Sequence, residues 1–397
     1  MDKRSVRDAD VAGKRVFVRV DFNVPIADGK VSDDSRIRAS LPTIALLLNA
    51  GARVILASHL GRPNGKVSDS LRLRPVGQRL TEIIRRNVPV TGDALGIGTE
   101  DAVKRLRPGE LLLLENLRFH AEEEDNDPAF AKQLAALADF YVNDAFGSAH
   151  RAHASTEGIT HFVKQSAAGL LMERELTYLG KALSQPDKPF VAIIGGAKVS
   201  DKIQVIDNLL DIADAIIIGG GMAYTFLNAQ GQTTGKSLVE TDKIEVARAA
   251  LDKAKAKGVR FLLPIDHVLA DKFAHDAKTQ IHEGTHPFHV DLMALDIGPK
   301  SIELFKSEIA DARTIIWNGP MGVFEMPAFA KGTNAIAYTV AGNHDAITIV
   351  GGGDSVAAVK QSGVSDKITH ISTGGGASLE FLEGKILPGV AALTDKN

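Results

Sequence analysis

Four glycine-rich turns in the second part of the chain have a residue pattern that could bind phosphate groups. They are Gly195-Gly-Ala-Lys198, Gly219-Gly-Gly221, Gly351-Gly-Gly-Asp-Ser355 and Gly374-Gly-Gly376. Glycine lets backbone N–H groups approach a ligand, and a helix N-terminus that follows such a turn attracts anions. One glycine pair after a strand is more often an ordinary tight turn, whereas four at one end of the same sheet favour phosphate binding.

Neither standard nucleotide-binding fingerprint is present. No Gly-x-Gly pair has a third glycine at the spacing of the dinucleotide fingerprint. The stretch Gly231-Gln-Thr-Thr-Gly-Lys-Ser237 looks like a P-loop but has three intervening residues instead of four, and no strand leads directly into it. We therefore interpret it as an ordinary loop and expect any nucleotide to be held in another way.

Charged residues in these turns allow two interpretations each. Asp354 follows three glycines and begins a helix, so it could cap that helix or bind Mg²⁺ on phosphates. Lys198 and Lys202 are four residues apart, and we expect them on one helix face, where they could contact phosphate or solvent.

Polar groups also end each predicted strand of the first part. The segments are Arg19-Val-Asp-Phe-Asn-Val-Pro25, Ser58-His-Leu-Gly-Arg-Pro63, Glu115-Asn-Leu-Arg118 and Asp144 to His153. With Arg36, Arg62, Arg118 and Arg151 as cations, they predict a basic anion pocket that faces the glycine-rich pocket across a linker. For two of these polar residues a structural role remains an alternative, since His153 could be a structural histidine and Asp21 a turn residue.

Composition limits the function classes. The chain has 397 residues, of which 44% are hydrophobic and 24% charged, as in globular proteins. Its net charge of −3 argues against a general nucleic-acid or polybasic membrane binder, and the absence of cysteine excludes disulfides and thiolate chemistry. Seventeen of the 21 arginines precede residue 171, so that part carries +2 and the rest −5. We expect most of these arginines on solvated helix faces.

Two series of short apolar runs must position these groups. Each run is followed by a helical pattern, which is typical of βα units and a parallel sheet. The first series is Val16 to Val20, Val54 to Ala57, Leu111 to Leu114 and Phe140 to Val142. The second is Val191 to Ile194, Ala215 to Ile218, Phe261 to Leu263, Thr314 to Trp317 and Ile347 to Val350. The fold class is therefore α/β, with two doubly wound, Rossmann-like parallel-sheet lobes joined by a helical hinge.

Helix and lobe boundaries follow from glycine and proline. Helices are predicted from Leu41 to Ala50, before Gly51, and from about Thr241 to Lys257, before Gly258. The apolar-periodic stretch Leu170 to Leu183 predicts a connecting helix. We place the first lobe at 1–170, the linker and hinge at 171–189 and the second lobe at 190–378.

Eight stretches resemble the phosphoglycerate kinase family, and they follow the family's order across almost the whole chain. They are Val18-Arg-Val-Asp-Phe-Asn-Val-Pro25, Ser58-His-Leu-Gly-Arg-Pro63, Glu115-Asn-Leu-Arg-Phe119, Asp144 to Thr156, Gly195-Gly-Ala-Lys-Val-Ser-Asp-Lys202, Trp317-Asn-Gly-Pro-Met-Gly-Val-Phe-Glu325, Gly351-Gly-Gly-Asp-Ser355 and Ser372-Thr-Gly-Gly-Gly-Ala-Ser378. Eight blocks in one order do not arise by chance.

The resemblance implies a phosphotransferase with a carboxyl group as acceptor. It would catalyse reversible, Mg²⁺-dependent phosphoryl transfer from 1,3-bisphosphoglycerate to ADP, giving 3-phosphoglycerate and ATP in glycolysis and gluconeogenesis. ATP or ADP is then a co-substrate and Mg²⁺ a cofactor. In the family two lobes close for an in-line transfer, and the last residues, here 379–397, return to the first lobe.

Carried over residue by residue, the resemblance implies two binding sites. The phosphoglycerate site would comprise Asp21, Phe22, Asn23, Arg36, His59, Leu60, Gly61, Arg62, Arg118 and Arg151. The nucleotide site would comprise Gly196, Ala197, Lys198, Lys202, Gly219, Gly220, Asn318, Pro320, Val323, Glu325, Gly351, Gly352, Gly353, Asp354 and Ser355. Glu325 would lie at the ribose, and Asp354 would hold the metal.

The implied chemistry explains why no catalytic base stands out. In the ATP-consuming direction the attacking group is a carboxylate with an ordinary pKa of about 4, so no proton has to be removed at neutral pH. We expect Arg36, Lys198 and the N–H groups of Gly374, Gly375 and Gly376 to hold the oxygens of the transferred group.

A competing hypothesis is a non-catalytic, two-lobed sensor of a sugar phosphate. It explains the lobes and the arginines but gives no reason for Asp354, Lys198 and Lys202 to occur together. The N-terminus is charged, and no stretch approaches the ~18 apolar residues of a membrane span. We expect a cytoplasmic monomer that binds neither nucleic acid nor a membrane.

Overall fold

The computed structural model describes residues 3–284 and 286–396. Its chain divides into two compact units, Met1–Thr177 with Ile386–Asn397, and Tyr178–Lys385. Each unit has its own parallel sheet with helices around it, so the predicted α/β class with two parallel-sheet cores is confirmed. Among the described residues no helix is long and apolar enough to cross a membrane.

The first unit is built on a five-stranded parallel sheet of order β5-β4-β1-β6-β7, and β2 pairs with β3 in a separate hairpin. Its strands are β1 (Arg15–Arg19), β2 (Ile26–Ala27), β3 (Lys30–Val31), β4 (Arg53–Ala57), β5 (Leu111–Leu113), β6 (Phe140–Asn143) and β7 (Ser166–Ala168). Its helices are α1 (Ser35–Asn49), α2 (Arg74–Ile84), α3 (Ile97–Arg105), α4 (Ala121–Glu124), α5 (Pro128–Ala136) and α6 (Leu170–Ser184), which continues into the second unit. Strands β4, β5 and β6 are almost wholly buried, as expected for a sheet covered on both faces.

The second unit contains a six-stranded parallel sheet of order β10-β9-β8-β14-β15-β16 and a three-stranded antiparallel sheet of order β12-β11-β13. The strands are β8 (Phe190–Ile194), β9 (Ala215–Ile218), β10 (Arg260–Leu262), β11 (Asp266–Ala270), β12 (Thr279–Glu283), β13 (Met293–Ile297), β14 (Thr314–Asn318), β15 (Ile347–Val350) and β16 (His370–Ile371). The helices are α7 (Ile203–Leu209), α8 (Met222–Ala229), α9 (Ile244–Lys257), α10 (Pro299–Ala310), α11 (Lys331–Gly342), α12 (Gly353–Gln361) and α13 (Gly376–Leu382). A last helix, α14 (Pro388–Ala391), belongs to the first unit.

Both parallel sheets reverse their strand order next to the first strand of the unit. The reversal lies between β1 and β6 in the first sheet and between β8 and β14 in the second. In such sheets the crevice for a ligand lies beyond the carboxyl ends of the strands at this switch point. The turns after β1, β6, β8 and β14 are therefore the places where each unit can bind a ligand.

The sequence did not predict β2, β3, β7, β16 or the antiparallel sheet, and it placed the start of one helix too late. Helix α1 begins at Ser35, six residues before the predicted start, because Ile37, Ser40, Thr43, Ile44 and Leu47 form one continuous buried face. The antiparallel sheet was not predicted; its edge strand β12 is largely exposed, so it lacks the apolar run that marks a buried strand. By contrast, α9 ends at Gly258, whose φ of 70° provides the left-handed cap that the sequence predicted.

The residues after Ile386 pack within the first unit. Asn143 at the end of β6 donates from Nδ2 to the carbonyl of Gly389, 3.0 Å away. The N–H of Gly389 in turn donates to the carbonyl of Ala149. Lys3 donates from Nζ to the carbonyls of Ala391 and Leu393. The C-terminal segment thus contacts the loop that carries Arg151.

A buried carboxylate joins β6 to the start of α6. Asp144 Oδ1 accepts hydrogen bonds from the backbone N–H groups of Leu171, at 2.9 Å, and Met172, at 3.3 Å. Beside them, Thr43 Oγ1 on α1 accepts from the N–H of Leu170 at 2.9 Å. Burial raises the pKa of Asp144 to about 7, against the opposing effect of the hydrogen bonds from Thr43, Met172 and Leu171.

We predict that Asp144→Asn changes how stability depends on pH. An unfolded aspartate titrates near pH 4, whereas the folded protein holds this group at a pKa of about 7. Between these values the folded state binds a proton that the unfolded state lacks. The contribution of Asp144 to the free energy of unfolding therefore falls as the pH rises, by up to about 4 kcal/mol. Asparagine does not ionise, so the variant should lack this fall.

Urea unfolding followed by circular dichroism between about pH 4 and about pH 8 measures the effect. Asp125→Asn, at an exposed aspartate of the same unit, is the matched control. The difference in unfolding free energy from wild type should shift in favour of Asp144→Asn as the pH rises and stay level for the control. A difference for Asp144→Asn that is constant with pH would contradict the prediction.

Candidate functional site

The candidate anion site of the first unit lies beyond the carboxyl ends of its central strands. Asp21 and Asn23 follow β1, His59 follows β4, and Arg118 lies in the short 3₁₀ helix Leu117–Phe119 after β5. The longer α1 places Arg36 in its first turn beside them. Parallel strands end at the same edge of a sheet, which is why residues this distant in sequence come together here.

Asp21 and Asn23 hold Arg36 in place. Arg36 donates from Nη1 to Asp21 Oδ1 and to the carbonyl of Asn23, both at 3.1 Å. The N–H of Asn23 also donates to Asp21 Oδ1, and the N–H of Gly61 donates to Asn23 Oδ1 at 2.9 Å. Asp21 therefore shapes the turn and also orients a cation. The Arg36 side chain remains about a third exposed, so donors are left for a ligand.

Arg118 is almost fully buried and fixed by its neighbours. Its Nη1 donates to the carbonyl of Gly61 at 2.9 Å, and its Nε lies 3.4 Å from Glu124 Oε1. Burial lowers the pKa of Arg118, partly offset by Glu124. Asn116, which the sequence reasoning missed, accepts with Oδ1 from the N–H groups of Leu60 and Arg118. It fixes the loop after β4 to the segment that carries Arg118.

Two histidines lie among these arginines. His59 is 5% exposed, and desolvation followed by the charges of Arg19, Arg118 and Arg36 holds its pKa well below the usual range. Desolvation, with Arg19, Arg118 and Arg151, lowers the pKa of His153 to about 3. Both imidazoles are therefore neutral at physiological pH, and His153 lies within the basic site.

The remaining predicted residues of this unit contribute unequally. The side chains of Phe22 and Leu60 are buried in the core, so only their backbone can reach a ligand. Arg151 is half-buried, with Nε 3.2 Å from His150 Nε2, whereas Arg62 is exposed. Ser58, also missed, accepts with Oγ from the N–H of Phe22 at 2.9 Å.

The glycine-rich turns of the second unit all lie at the carboxyl end of its parallel sheet, as predicted. They follow β8, β9, β15 and β16. The turns after β8 and β14 touch directly, because a Cβ on Gly195 would lie 2.1 Å from the carbonyl oxygen of Pro320, and one on Gly319 would lie 2.1 Å from that of Gly195. Gly319 also has a φ of 107°. Only glycine fits this contact.

The prediction that Lys198 and Lys202 share a helix face was wrong. The segment from Gly195 to Lys202 is an irregular turn, and α7 begins only at Ile203. Gly196 has a φ of 119°, which is incompatible with a helix at this point. Lys198 is exposed, whereas Lys202 donates from Nζ to Asn318 Oδ1. Burial lowers the pKa of Lys202, while the charges of Asp201, Asp354 and Glu383 oppose this.

A pocket of about 720 Å³ opens at the switch point of this sheet, within the range of about 300 to 1,000 Å³ for small-molecule sites. Seven of the predicted nucleotide residues line it, namely Gly196, Ala197, Gly220, Pro320, Val323, Glu325 and Asp354. Its apolar wall was missed by the sequence reasoning and consists mainly of Tyr224, Leu238, Phe273, Met293, Leu295 and Met321. These residues come from separate strands, loops and helices, so no local motif marks them.

The other predicted nucleotide residues lie next to this pocket rather than in its lining. Gly219 packs against Met321, and Ser355 Oγ accepts from the N–H of Gly319. Gly351 and Gly352 pack against Asn318. Gly353 begins α12, and Lys198, Gly374, Gly375 and Gly376 likewise lie outside the lining.

Asp354 does not cap a helix. The cap of α12 is Gly352, with no side-chain hydrogen bond, and Asp354 is an exposed residue of the first helical turn. No group of three or more histidine or acidic residues that could hold a metal occurs in residues 3–284 and 286–396. Asp354 is the one carboxylate besides Glu325 in the lining of the 720 Å³ pocket, and Mg²⁺ is often held by one or two carboxylates plus substrate phosphates.

The family profile, the sequence relatives and the solved structures that resemble this chain all belong to one family. The phosphoglycerate kinase family profile matches residues 6–385. The chain is 69% identical to a phosphoglycerate kinase of Acidobacterium capsulatum and 63% identical to one of Koribacter versatilis, covering 100% of both chains in each case. The solved structure of phosphoglycerate kinase from Coxiella burnetii is 42% identical, with a TM-score of 0.91 over 98% of both chains. That of Pyrococcus horikoshii is 33% identical, with a TM-score of 0.81 over 98% of both.

We predict that Gly319→Ala weakens nucleotide binding by about tenfold or more, because the new methyl group forces the turns after β8 and β14 apart at the pocket. Calorimetric titration with ADP measures the dissociation constant. Gly342→Ala is the matched control, since its Cβ would meet nothing within 4 Å and Gly342 ends helix α11. Equal ADP affinity of the two variants would contradict the importance of the contact.

Proposed function

The chain belongs to the phosphoglycerate kinase family, and from that premise we propose which of its residues carry out each part of the reaction. It is an enzyme of glycolysis that transfers a phosphoryl group reversibly between 1,3-bisphosphoglycerate and ADP, with 3-phosphoglycerate and ATP as the other pair. The alternative of a non-catalytic sensor is not favoured, because the full-length relatives of this chain are named phosphoglycerate kinases.

The glycine-lined pocket at the switch point between β8 and β14 is the main support for our assignment of the nucleotide site. We propose that its apolar wall receives the adenine base and that Glu325 binds the ribose. Lys202 and the backbone N–H groups after β8 and β15 then bind phosphate oxygens.

We propose that the basic site of the first unit binds the phosphoglycerate. Arg36, Arg62, Arg118 and Arg151 supply charge, and His59 and Asn23 supply hydrogen bonds to the carboxylate, hydroxyl and phosphate oxygens. The backbone of Phe22, Leu60 and Gly61 forms the floor of this site. Neutral histidines suit this purpose, because they can donate or accept a hydrogen bond without taking up the substrate's proton.

The chemical step requires positioning and charge neutralisation rather than a base. A carboxylate oxygen of 3-phosphoglycerate attacks the terminal phosphorus of ATP in line, and ADP leaves. We propose that Arg36, Lys198 and the N–H groups of Gly374, Gly375 and Gly376 bind the oxygens of the group in transfer. Asp354 is the residue that would hold Mg²⁺, which neutralises charge on the nucleotide phosphates when bound.

The two substrates bind to different units, so transfer requires the units to approach and exclude water. We propose that the chain segments joining the units, α6 and the stretch near Lys385, act as the hinge. The segment 379–397 would tie the second lobe to the first. We further propose that the enzyme works as a monomer in the cytoplasm.

The function itself is tested by mixing the protein with ATP, Mg²⁺ and 3-phosphoglycerate and following NADH loss through a coupled dehydrogenase. Arg36→Lys and Lys198→Ala should each lower turnover by about 100-fold, because each removes a donor to the developing charge. Arg38→Lys is the control, since Arg38 is exposed on the same helix and pairs with Asp34. Turnover within about twofold of wild type in either test variant would refute the charge role of that residue.

We predict that Asp354→Asn raises the Mg²⁺ concentration needed for half-maximal activity by about tenfold or more, because the amide keeps the shape of the carboxylate but loses its charge. A Mg²⁺ titration at saturating ATP measures this. Asp366→Asn, at an exposed aspartate of the same unit, serves as control. An unchanged Mg²⁺ requirement in Asp354→Asn would remove this residue from the metal site.

A further inference from the structure

A fully buried pair of opposite charges lies behind the basic site of the first unit. Arg19 is the last residue of β1, Glu123 belongs to α4, and both side chains are 0% exposed. Their closest atoms, Arg19 Nη2 and Glu123 Oε1, are 4.0 Å apart. A buried charge is costly unless it has a partner and hydrogen bonds, so this pair requires an explanation.

Ser155 joins the two charges. Its Oγ donates to Glu123 Oε1 at 2.5 Å and accepts from Arg19 Nε at 2.7 Å, while its N–H donates to Glu123 Oε2 at 2.9 Å. The Tyr141 hydroxyl donates to the carbonyl of Ser155, which fixes this residue from the other side. Both Glu123 oxygens thus act as acceptors, the pattern of an ionised carboxylate. Burial raises the pKa of Glu123, and Arg19 and the Ser155 hydrogen bonds oppose that rise.

The other end of the network reaches the substrate pocket. Arg19 Nη2 lies 3.1 Å from His59 Nδ1. Arginine is always protonated and can only donate, so Nδ1 of His59 must accept. Since the imidazole is neutral, its proton is on Nε2. The charged or titratable groups around this ring are Arg19, Arg36, Arg118 and His153, and none of them removes a proton from it.

We propose that Glu123 is a positioning residue for the phosphoglycerate pocket: acting through Ser155, it holds Arg19 against His59 Nδ1 and so fixes His59 as an Nε2–H donor toward the substrate. The role toward the substrate rests on the proposed function, whereas the tautomer does not. Glu123 does not touch the substrate in this scheme. Glu123 also links α4 to the loop that carries Arg151, because its carbonyl accepts from the N–H of Ala154.

The first test is the protonation state of the His59 ring. Nitrogen-15 NMR of histidine-labelled protein at neutral pH, assigned with His59→Gln, reports which ring nitrogen carries the proton. The wild type should show the single Nε2–H form without any substrate. In Glu123→Gln and in Ser155→Ala the Nδ1 signal should shift toward a mixture of tautomers, because Arg19 is no longer held.

The second test separates positioning from general stability. Glu123→Gln should lower kcat/KM for 3-phosphoglycerate by about tenfold or more, with KM for ATP within about twofold. Glu122→Gln is the matched control, since this neighbouring glutamate is exposed, and its kinetics should equal those of wild type. Ser155→Ala keeps both charges and tests the scheme if Glu123→Gln fails to fold.

An unchanged His59 tautomer in Ser155→Ala, or a rise in KM for ATP as large as the loss of kcat/KM for 3-phosphoglycerate in a folded variant, would overturn the positioning role. A changed tautomer together with an unchanged kcat/KM for 3-phosphoglycerate would also overturn it. If adding 3-phosphoglycerate to the wild type leaves the His59 signals unmoved while the tautomer result holds, it is the assignment of the pocket that fails.

Discussion

The backbone contact between the turns after β8 and β14 is the constraint on which the proposed nucleotide site depends. Gly195 and Gly319 approach so closely that neither position has room for a side chain. The contact brings the ends of two strands together at the point where strand order reverses, and it aligns Asn318 with Lys202 and Gly319 with Ser355. A parallel sheet alone would leave a crevice there, and this contact determines its width.

The first unit meets a different constraint, because it must hold positive charge in a buried place. It does so by giving its buried and half-buried arginines at least one acceptor from the protein. Arg36 has Asp21, Arg118 has the Gly61 carbonyl and Glu124, and Arg19 has Ser155. A guanidinium has five donors, so these contacts orient it and still leave donors for a ligand. The surface arginines, such as Arg79 with Asp34 and Glu82, are paired in water and need no such support.

The sequence predicted the strands and glycine turns well because both signals are local. Ala215 to Ile218 and Thr314 to Trp317 are continuous apolar runs that can only be buried strands in this pattern, and the observed strands match them closely. What it did not predict depends on packing, backbone conformation and loop contacts that apolar runs and glycine clusters do not record. The start of α1 became clear only from its packing, the turn at Lys198 depends on the backbone of Gly196, and Asn116 acts by contacting loops that no local pattern joins to it.

Arginine and lysine are distributed unequally between the two parts of the chain, and their donor geometries differ. Arginine predominates in the first part of the chain, where each arginine of the proposed anion site can offer several oriented hydrogen bonds. Lysine predominates in the second, and there Lys202 contacts the side-chain amide of Asn318 while burial lowers its pKa. Both kinds of cation serve the proposed transfer, because Arg36 offers a rigid, planar set of donors and Lys198 a compact charge with rotatable donors. Only four of the 17 arginines before residue 171 belong to the proposed anion site, so the +2 and −5 balance of the two parts reflects mainly other charged residues, such as Arg79 with Asp34 and Glu82.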